Sequence, residues 1–284
     1  MQEPFFFERG GQQLFAVYYP PEGSLSGRAY LLCNAFGKEY NLCLSPLIGV
    51  ARLLAKRGHA VMRFDYMGYA DSQGAFEDAT LATMQADIEA AMVELSRRAG
   101  VERIGLIAMR FGAALAVAVA SRDDRVPELV LWEPVLKPWT YLFAELRQTV
   151  TMQTVLFREV RITRDEIVSN ILAGRPSVFS GYDFNVIDEG FPLGAGLIRE
   201  AKEFNITDPV PRLAARTLIV NIRKKEGPVP KPIDAFAQKL REGGGSCEVA
   251  AAVEPCAYWK YDIVFSTRAP GVYEKTLSWL AGGG

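Results

Sequence analysis

Short apolar runs alternate with amphipathic segments along most of the chain. Six runs have the length of buried strands: AYLLCNAF (29–36), AVMRFDY (60–66), RIGLIAM (103–109), ELVLWEPV (128–135), RTLIVNI (216–222) and CEVAAAVE (247–254). Between them, apolar residues recur at helical spacing in SPLIGVARLLAKRG, ATLATMQADIEAAMVELSRRAG, PIDAFAQKLREGG and GVYEKTLSWLAG. This alternation predicts an α/β fold, with a mostly parallel central sheet and helices on both faces.

Two stretches depart from this alternation. At the start, PFFFE and LFAVYYP are joined by the turn GGQQ, which predicts an antiparallel hairpin. From about Lys137 to Leu213 the sequence is rich in aromatic residues, glycine and proline, and it predicts two helical pieces at most. It follows a strand, so we expect it above the carboxyl end of the sheet, where open α/β sheets bind ligands. We interpret residues 1–284 as a single domain and 137–213 as an inserted cap.

The stretch RIGLIAMRFGAALAVAVAS (103–121) turns abruptly from a strand into a helix of small residues. A strand–turn–helix of this kind normally presents a nucleophile at its sharpest point. Arg110 occupies that point here. Its guanidinium stays protonated, so Arg110 cannot act as a nucleophile.

The order of motifs resembles the α/β-hydrolase superfamily over nearly the whole chain. LLCNAFGKEYN is similar to the loop after the third strand, and RGHAVMRFDYMGYADSQG to the stretch that follows it. LIAMRFGAALA stands where the nucleophile elbow is expected, LIVNIRKKEGPVP where the acid is expected, and VEPCAYWKY where the histidine is expected. The resemblance implies the α/β-hydrolase fold with an inserted cap.

A narrower resemblance is to a branch of this superfamily encoded with exosortase systems in bacteria that export polysaccharide. The motifs that carry it are Ala108–Gly112 at the elbow, Trp132–Val135 after the next strand, and Tyr258-Trp259 in the histidine segment. Members of that branch often have arginine in place of the elbow serine. The resemblance implies a role near polysaccharide export, without implying a known reaction.

A serine hydrolase needs a nucleophile, a base and an acid that orients the base. Arg110 stands at the nucleophile position and Glu226 at the acid position. The single histidine, His59, precedes a strand at the amino end of the sheet, and we expect it to be structural. Ser72 lies in a loop without a strand and helix around it, so we expect a loop hydroxyl. The sequence therefore predicts that the triad is absent.

Backbone donors of an oxyanion hole do not depend on the triad. We expect them to be the N–H groups of Phe111 and of Ala35 or Phe36. Asn34 either donates a hydrogen bond into the pocket or fastens its own loop. Cys256 is interpreted as a small buried thiol, with a nucleophile as the alternative.

An arginine at the start of a helix needs a compensating anion, because the helix dipole disfavours a cation there by about 0.3–1 kcal/mol. Glu226 and Glu133 are the two acids that the sequence indicates as partners. Either such a pair seals the site, or Arg110 stays available to a carboxylate, phosphate or sulfate ligand.

The predicted pocket also contains four residues near the strand ends, two of them in the histidine segment: Met109, Trp132, Tyr258 and Trp259. Aromatic rings there either stack on the apolar face of a sugar or pack within core and cap.

Composition excludes several classes of function. The net charge is −1, from 32 basic and 33 acidic residues, so the sequence predicts no nucleic-acid partner. Four cysteines without a CxxC pair, no apolar run of about 18 residues and no signal peptide predict a cytoplasmic protein without a membrane span. We expect no metal and no cofactor, and the sequence leaves homo-oligomerisation open.

The favoured hypothesis is an α/β-hydrolase-like protein without the Ser-His-acid triad. It would be a pseudo-hydrolase that binds a small anionic, acyl or glycan-derived ligand or a partner protein. The alternative is an atypical hydrolase, lyase or cyclase that uses Arg110, the oxyanion hole, and Glu226, Glu133 or Cys256. A third hypothesis is an interaction protein whose pocket is sealed and empty.

Overall fold

The computed structural model describes residues 2–187, 190–208, 210–255, 257–259 and 268–282. The strands are β1 (Glu3–Arg9), β2 (Gln12–Tyr19), β3 (Ala29–Cys33), β4 (Ala60–Phe64), β5 (Ile104–Met109), β6 (Glu128–Trp132), β7 (Val178–Phe179), β8 (Tyr182–Asp183), β9 (Val186–Ile187), β10 (Phe191–Pro192), β11 (Arg216–Arg223) and β12 (Cys247–Val253). The α-helices are α1 (Glu39–Ala55), α2 (Leu81–Ala99), α3 (Phe111–Ala120), α4 (Pro138–Phe157), α5 (Arg164–Leu172), α6 (Ala195–Glu203), α7 (Lys231–Glu242) and α8 (Pro270–Ala281). No helix among the described residues is long and apolar enough to cross a membrane.

The central sheet has eight strands in the order β1-β2-β4-β3-β5-β6-β11-β12. Strands β4, β3, β5, β6, β11 and β12 run parallel, whereas β1 and β2 form an antiparallel hairpin joined to β4. The predicted mostly parallel sheet with an initial hairpin is therefore confirmed.

Successive residues of the central strands pack into different halves of the core. Leu31 and Leu106 lie in the cluster formed with α2, α3 and α7. Leu32 and Ile107 lie in the cluster formed with α1 and α8. Because both faces of each strand are buried, these strands are continuous apolar runs rather than alternating ones.

The first helix begins earlier than its apolar pattern indicates. The pattern places the helix from Ser45, with Pro46 in its first turn, where proline is favoured. The structure begins α1 at Glu39 and keeps Pro46 inside the helix. Glu39 is therefore the first residue of a helix rather than part of a loop.

The stretch from 137 to 213 contains more regular structure than expected. Among its described residues are three helices, α4, α5 and α6, and two short antiparallel ribbons, β7–β8 and β9–β10. Its buried residues, such as Tyr141 and Ile167, belong to the same apolar cluster as α2 and α3. The insertion therefore packs on the sheet domain.

The order of the strands reverses between β3 and β5. After β3 the chain adds β4 on one side of it, and then returns to add β5 on the other side. In open α/β sheets, ligands bind outside the carboxyl ends of the strands at such a reversal. The loop after β3 and the turn after β5 meet at this position.

Candidate functional site

The turn between β5 and α3 is a sharp elbow made by one residue. β5 ends at Met109 and α3 begins at Phe111, so Arg110 forms the turn. Its backbone has φ 56° and ψ −120°, a strained conformation for a residue with a side chain, which costs about 1–3 kcal/mol. The Arg110 N–H donates to Trp132 O at 3.0 Å, and the Arg110 carbonyl accepts from Val135 N–H at 3.1 Å. These bonds to the neighbouring strand hold the turn.

A glycine lets α3 approach the end of β3. A Cβ at Gly112 would lie 2.1 Å from Asn34 O and 2.8 Å from Cys33 O. Both contacts are to backbone atoms, which cannot rotate away. The small residue two positions after the elbow is therefore required by packing.

The guanidinium of Arg110 binds the carboxylate of Glu39 in a bidentate pair. Nε donates to Oε2 and Nη2 donates to Oε1, each at 3.0 Å. The Arg110 and Glu39 side chains are only 15% and 8% exposed. Burial opposes the charge of Arg110, but the Glu39 carboxylate more than offsets it, so the pKa of Arg110 lies above its usual value. The Nε and Nη2 donors of the Arg110 guanidinium are thus already occupied by the Glu39 carboxylate.

The acids indicated by the sequence are placed differently. The Glu133 carboxylate accepts hydrogen bonds from Asn221 Nδ2 and from Ile222 N–H, each at 2.8 Å. Arg110 reaches only the Glu133 carbonyl oxygen, at 3.4 Å from Nη1. Glu226 lies exposed in the loop after β11. The expectation that Glu226 or Glu133 supplies the carboxylate for Arg110 was wrong, because the start of α1 supplies Glu39.

Aromatic rings flank the same guanidinium. The Cζ atom of Arg110 lies 4.7 Å from the ring centroid of Trp259 and 5.7 Å from that of Tyr141. Both aromatic residues are 8% exposed. Trp259 follows β12, in the segment where the resemblance implies a histidine, and Tyr141 comes from α4 of the insertion. The cation is therefore held by a carboxylate and by the faces of aromatic rings.

Asn34 fastens the loop after β3. Its Oδ1 accepts from Ala35 N–H at 2.8 Å, and its Nδ2 donates to Tyr40 O at 3.1 Å. Of its two predicted roles, the structure shows the second. Because the Ala35 N–H already donates to Asn34 Oδ1, it is not available to a ligand. Of the predicted oxyanion donors, the N–H groups of Phe36 and Phe111 therefore remain candidates.

Three of the predicted pocket residues lie in the core or in its hydrogen-bond network. Met109 and Trp132 are fully buried among the residues packed by α1 and α8. The Trp132 Nε1–H donates to Thr276 Oγ1 at 2.9 Å. The Tyr258 hydroxyl donates to Glu254 Oε2 at 2.7 Å. Of the aromatic set, Trp259 is the member that contacts Arg110.

The histidine and the loop serine have structural contacts. His59 precedes β4 at the amino end of the sheet, and its Nδ1 lies 2.6 Å from Ser26 Oγ. The Ser72 hydroxyl donates to Asp65 O at 2.7 Å and accepts from Phe15 N–H at 2.9 Å. Neither residue contacts the elbow, in agreement with the roles predicted for both.

Cysteine chemistry and metal binding find little support at this site. Burial raises the pKa of the Cys33 thiol far above its usual value, which disfavours a thiolate. Cys256 lies outside the described residues. Within the described part of the chain, no three His, Cys, Asp or Glu side chains are placed to hold a metal ion.

Comparison with known proteins identifies the architecture. No family model and no curated protein matches the sequence. Est1E from Butyrivibrio proteoclasticus with ferulic acid bound is similar, with a TM-score of 0.61 and 17% identity over 98% of this chain and 99% of that chain. DcsB in complex with its substrate analogue has a TM-score of 0.65 and 12% identity over 100% of both chains. A proline iminopeptidase from Mycobacterium smegmatis has a TM-score of 0.59 and 14% identity over 99% and 98%. The chain has the α/β-hydrolase fold.

In an α/β-hydrolase fold, the turn between β5 and α3 is the nucleophile elbow. The same strand–turn–helix backbone is present here, and Arg110 forms its turn. A guanidinium binds anions and cannot attack a carbonyl carbon. Arg110 instead forms the charge pair with Glu39.

Sequence reasoning missed Glu39. One signal could have indicated it, because Glu39 follows the strand adjacent to the elbow strand. An acidic side chain is also favoured in the first turn of a helix, where it faces the positive end of the dipole. Placing the helix start near Gly37 instead of Ser45 would have brought this carboxylate to the elbow.

Proposed function

We propose that this protein is a pseudo-hydrolase: it keeps the α/β-hydrolase fold, performs no serine-triad hydrolysis and acts by binding. The observation that carries the proposal is the bidentate pair between Arg110 and Glu39 at the elbow. The pair fills the nucleophile position with a cation and neutralises that cation from within the chain. Of the two hypotheses for Arg110, this supports a sealed elbow over a clamp for an external anion.

The setting of this binding function is proposed from the sequence motifs. The elbow arginine, the Trp132–Val135 segment and Tyr258-Trp259 resemble the branch encoded with exosortase systems, which favours a role beside polysaccharide export. The free cysteines Cys33, Cys43 and Cys247 are buried thiols, which agrees with a reducing compartment such as the cytoplasm.

The alternative of an atypical enzyme gains no support from the described residues. The Glu133 carboxylate is bound by two donors, and Glu226 is exposed in its loop. Neither carboxylate contacts Arg110. The proposal therefore remains with binding, to a ligand or a partner protein.

Activity-based labelling tests this proposal. A fluorophosphonate probe and short-chain nitrophenyl esters are incubated with the protein, with a serine esterase as positive control. We expect no labelled serine and no ester hydrolysis above that of buffer, because no histidine stands near the elbow among the described residues. An Arg110→Ser variant should remain inactive for the same reason. Labelling of any serine in the unmodified protein would overturn the proposal.

Cysteine chemistry is tested separately. Ester hydrolysis that persists in the unmodified protein and is lost in Cys256→Ala would show a thiol enzyme and would overturn the proposal. Equal, buffer-level rates in both proteins support it.

A further inference from the structure

A surface cavity lies at the end of the sheet opposite to the elbow. It has a volume of about 430 Å³ and is lined by Gln2, Tyr19, Pro20, Glu22, Arg52, Ala55 and Lys56. Tyr19 ends β2 and pairs with Val61 near the start of β4, which places the cavity at the amino end of the parallel strands. The other wall is the last turn of α1, whose first residue contacts Arg110. The cavity is therefore distinct from the elbow.

Neither cation of this cavity forms an ion pair with a carboxylate among the described residues, although Glu22 lies in the same wall. Arg52 and Lys56 are four residues apart on α1 and so lie on one helix face. With the amide of Gln2 turned so that its oxygen faces the guanidinium, Oε1 accepts from Arg52 Nε at 2.9 Å and from Nη2 at 2.7 Å. A neutral amide fixes the guanidinium without cancelling its charge. Lys56 makes no ion pair with any residue that the structure describes.

The tyrosine at the cavity contributes an unsatisfied donor. Tyr19 is 2% exposed, and its hydroxyl is buried without a hydrogen-bond partner among the described residues. A buried hydroxyl without a partner is unfavourable, so a site that supplies an acceptor gains from satisfying it. The Glu22 carboxylate, also in the wall, forms no hydrogen bond or ion pair with the described residues.

We propose that this cavity binds a phosphate monoester on a small polyhydroxylated molecule, such as a sugar phosphate. The N–H groups of Arg52 that Gln2 leaves free and the ammonium group of Lys56 are donors only, and the Tyr19 hydroxyl adds a further donor. The complement of such a set is an oxygen-rich anion. The carboxylate of Glu22 accepts hydrogen bonds that the hydroxyl groups of the sugar donate. The volume exceeds that of phosphate alone and falls in the range of small-ligand sites. This site does not depend on the function proposed for the elbow.

Calorimetric titration with glucose 6-phosphate, inorganic phosphate and glucose tests the site. We expect glucose 6-phosphate to bind more tightly than inorganic phosphate, and glucose not to bind. Arg52→Ala should weaken glucose 6-phosphate binding at least about tenfold, because it removes a charge-assisted contact. Arg57→Ala is the matched control: it is an exposed arginine at the same end of α1, outside the cavity lining, and its loss should cost less than about twofold.

Two further variants distinguish the contacts made to the phosphate from those made to the sugar hydroxyls. Tyr19→Phe keeps the ring and should weaken both phosphate ligands about threefold, through one lost hydrogen bond. Glu22→Gln should weaken glucose 6-phosphate relative to inorganic phosphate. Circular dichroism checks that each variant is folded.

A vesicle experiment tests whether the bound phosphate belongs to a lipid headgroup instead of a sugar. Co-sedimentation with phosphatidylcholine vesicles containing phosphatidic acid, lost in Arg52→Ala but kept in Arg57→Ala while glucose 6-phosphate does not bind, would assign the site to a lipid headgroup and overturn the sugar phosphate. The proposal also fails if glucose 6-phosphate up to about 10 mM does not bind at all. Equal losses in Arg52→Ala and Arg57→Ala would also overturn it, because they would show a diffuse charge effect.

Discussion

At the scale of single residues, Arg110 combines a strained backbone with a buried charge. Its φ of 56° is the strained backbone conformation that forms the elbow, and its guanidinium is paired with the buried Glu39 carboxylate. A buried ion pair contributes little compared with apolar packing, yet removing one partner leaves a charge without compensation. Each member of the pair therefore depends strongly on the other.

Glu39→Gln tests this dependence. The amide keeps the size of the side chain but loses the charge, and we expect the free energy of unfolding to fall by about 3 kcal/mol. Urea unfolding followed by circular dichroism measures the change.

The matched control is Glu89→Gln, which breaks the pair with Arg122. Both side chains of that pair are exposed, at 40% and 46%, so its loss should cost less than about 1 kcal/mol. If Glu39→Gln lowers the free energy of unfolding no more than Glu89→Gln does, the buried pair at the elbow does not stabilise the fold.

At the scale of elements, the Arg110–Glu39 site depends on how closely α3, α1 and the end of β3 approach one another. Helix α3 approaches the end of β3 at Gly112, and α1 follows the same loop with Glu39 at its first position. The loop is fastened by Asn34, which bonds Ala35 and Tyr40. The ion pair is therefore positioned by the close approach of α3 to β3 on one side and by the hydrogen bonds of the Asn34 side chain on the other.

Gly112→Ala should disturb this contact. The new Cβ would meet the backbone oxygen of Asn34, and we expect a loss of about 3 kcal/mol in the free energy of unfolding, measured by urea titration. Gly196→Ala is the control, since Gly196 is likewise the second residue of its helix. Its Cβ would meet only the Thr80 side-chain methyl, at 2.9 Å. Equal losses for the two variants would contradict the steric argument.

The elements of the central sheet could be predicted from the chain, because each buried strand is a continuous apolar run. The partner of Arg110 could not be predicted in this way. Its identity depends on where α1 begins, and Pro46 resembles a first-turn proline although it lies inside the helix. The second helix shows the opposite case: Thr80 caps its start and Gly100 its end, so local chemistry defines both boundaries.

At the scale of the whole molecule, the single histidine contributes to the pH dependence of stability. Burial lowers the pKa of His59 below its ordinary 6.5, and the nearby Arg28 cation lowers it further. The unfolded chain therefore binds a proton at a higher pH than the folded chain does. The contribution of His59 to stability is complete above pH 6.5 and is lost as the pH falls through the window below that value.

His59→Gln should remove this pH dependence. Unfolding free energies measured between pH 5 and 8, the range in which histidine titrates, should fall with decreasing pH in the unmodified protein more steeply than in the variant. Because the chain has one histidine, its ring proton resonances report the folded pKa directly. A resonance that titrates above 6.5 would reverse the sign of the argument.

The Arg110–Glu39 pair also has an evolutionary consequence. A change of Arg110 to serine alone would leave the Glu39 carboxylate buried without its partner, and a change of Glu39 alone would strand the guanidinium. Each single change therefore destabilises the chain, and only a double change could remove the pair without leaving a buried charge uncompensated. Selection for stability alone would then preserve both residues together, whatever the function of the site.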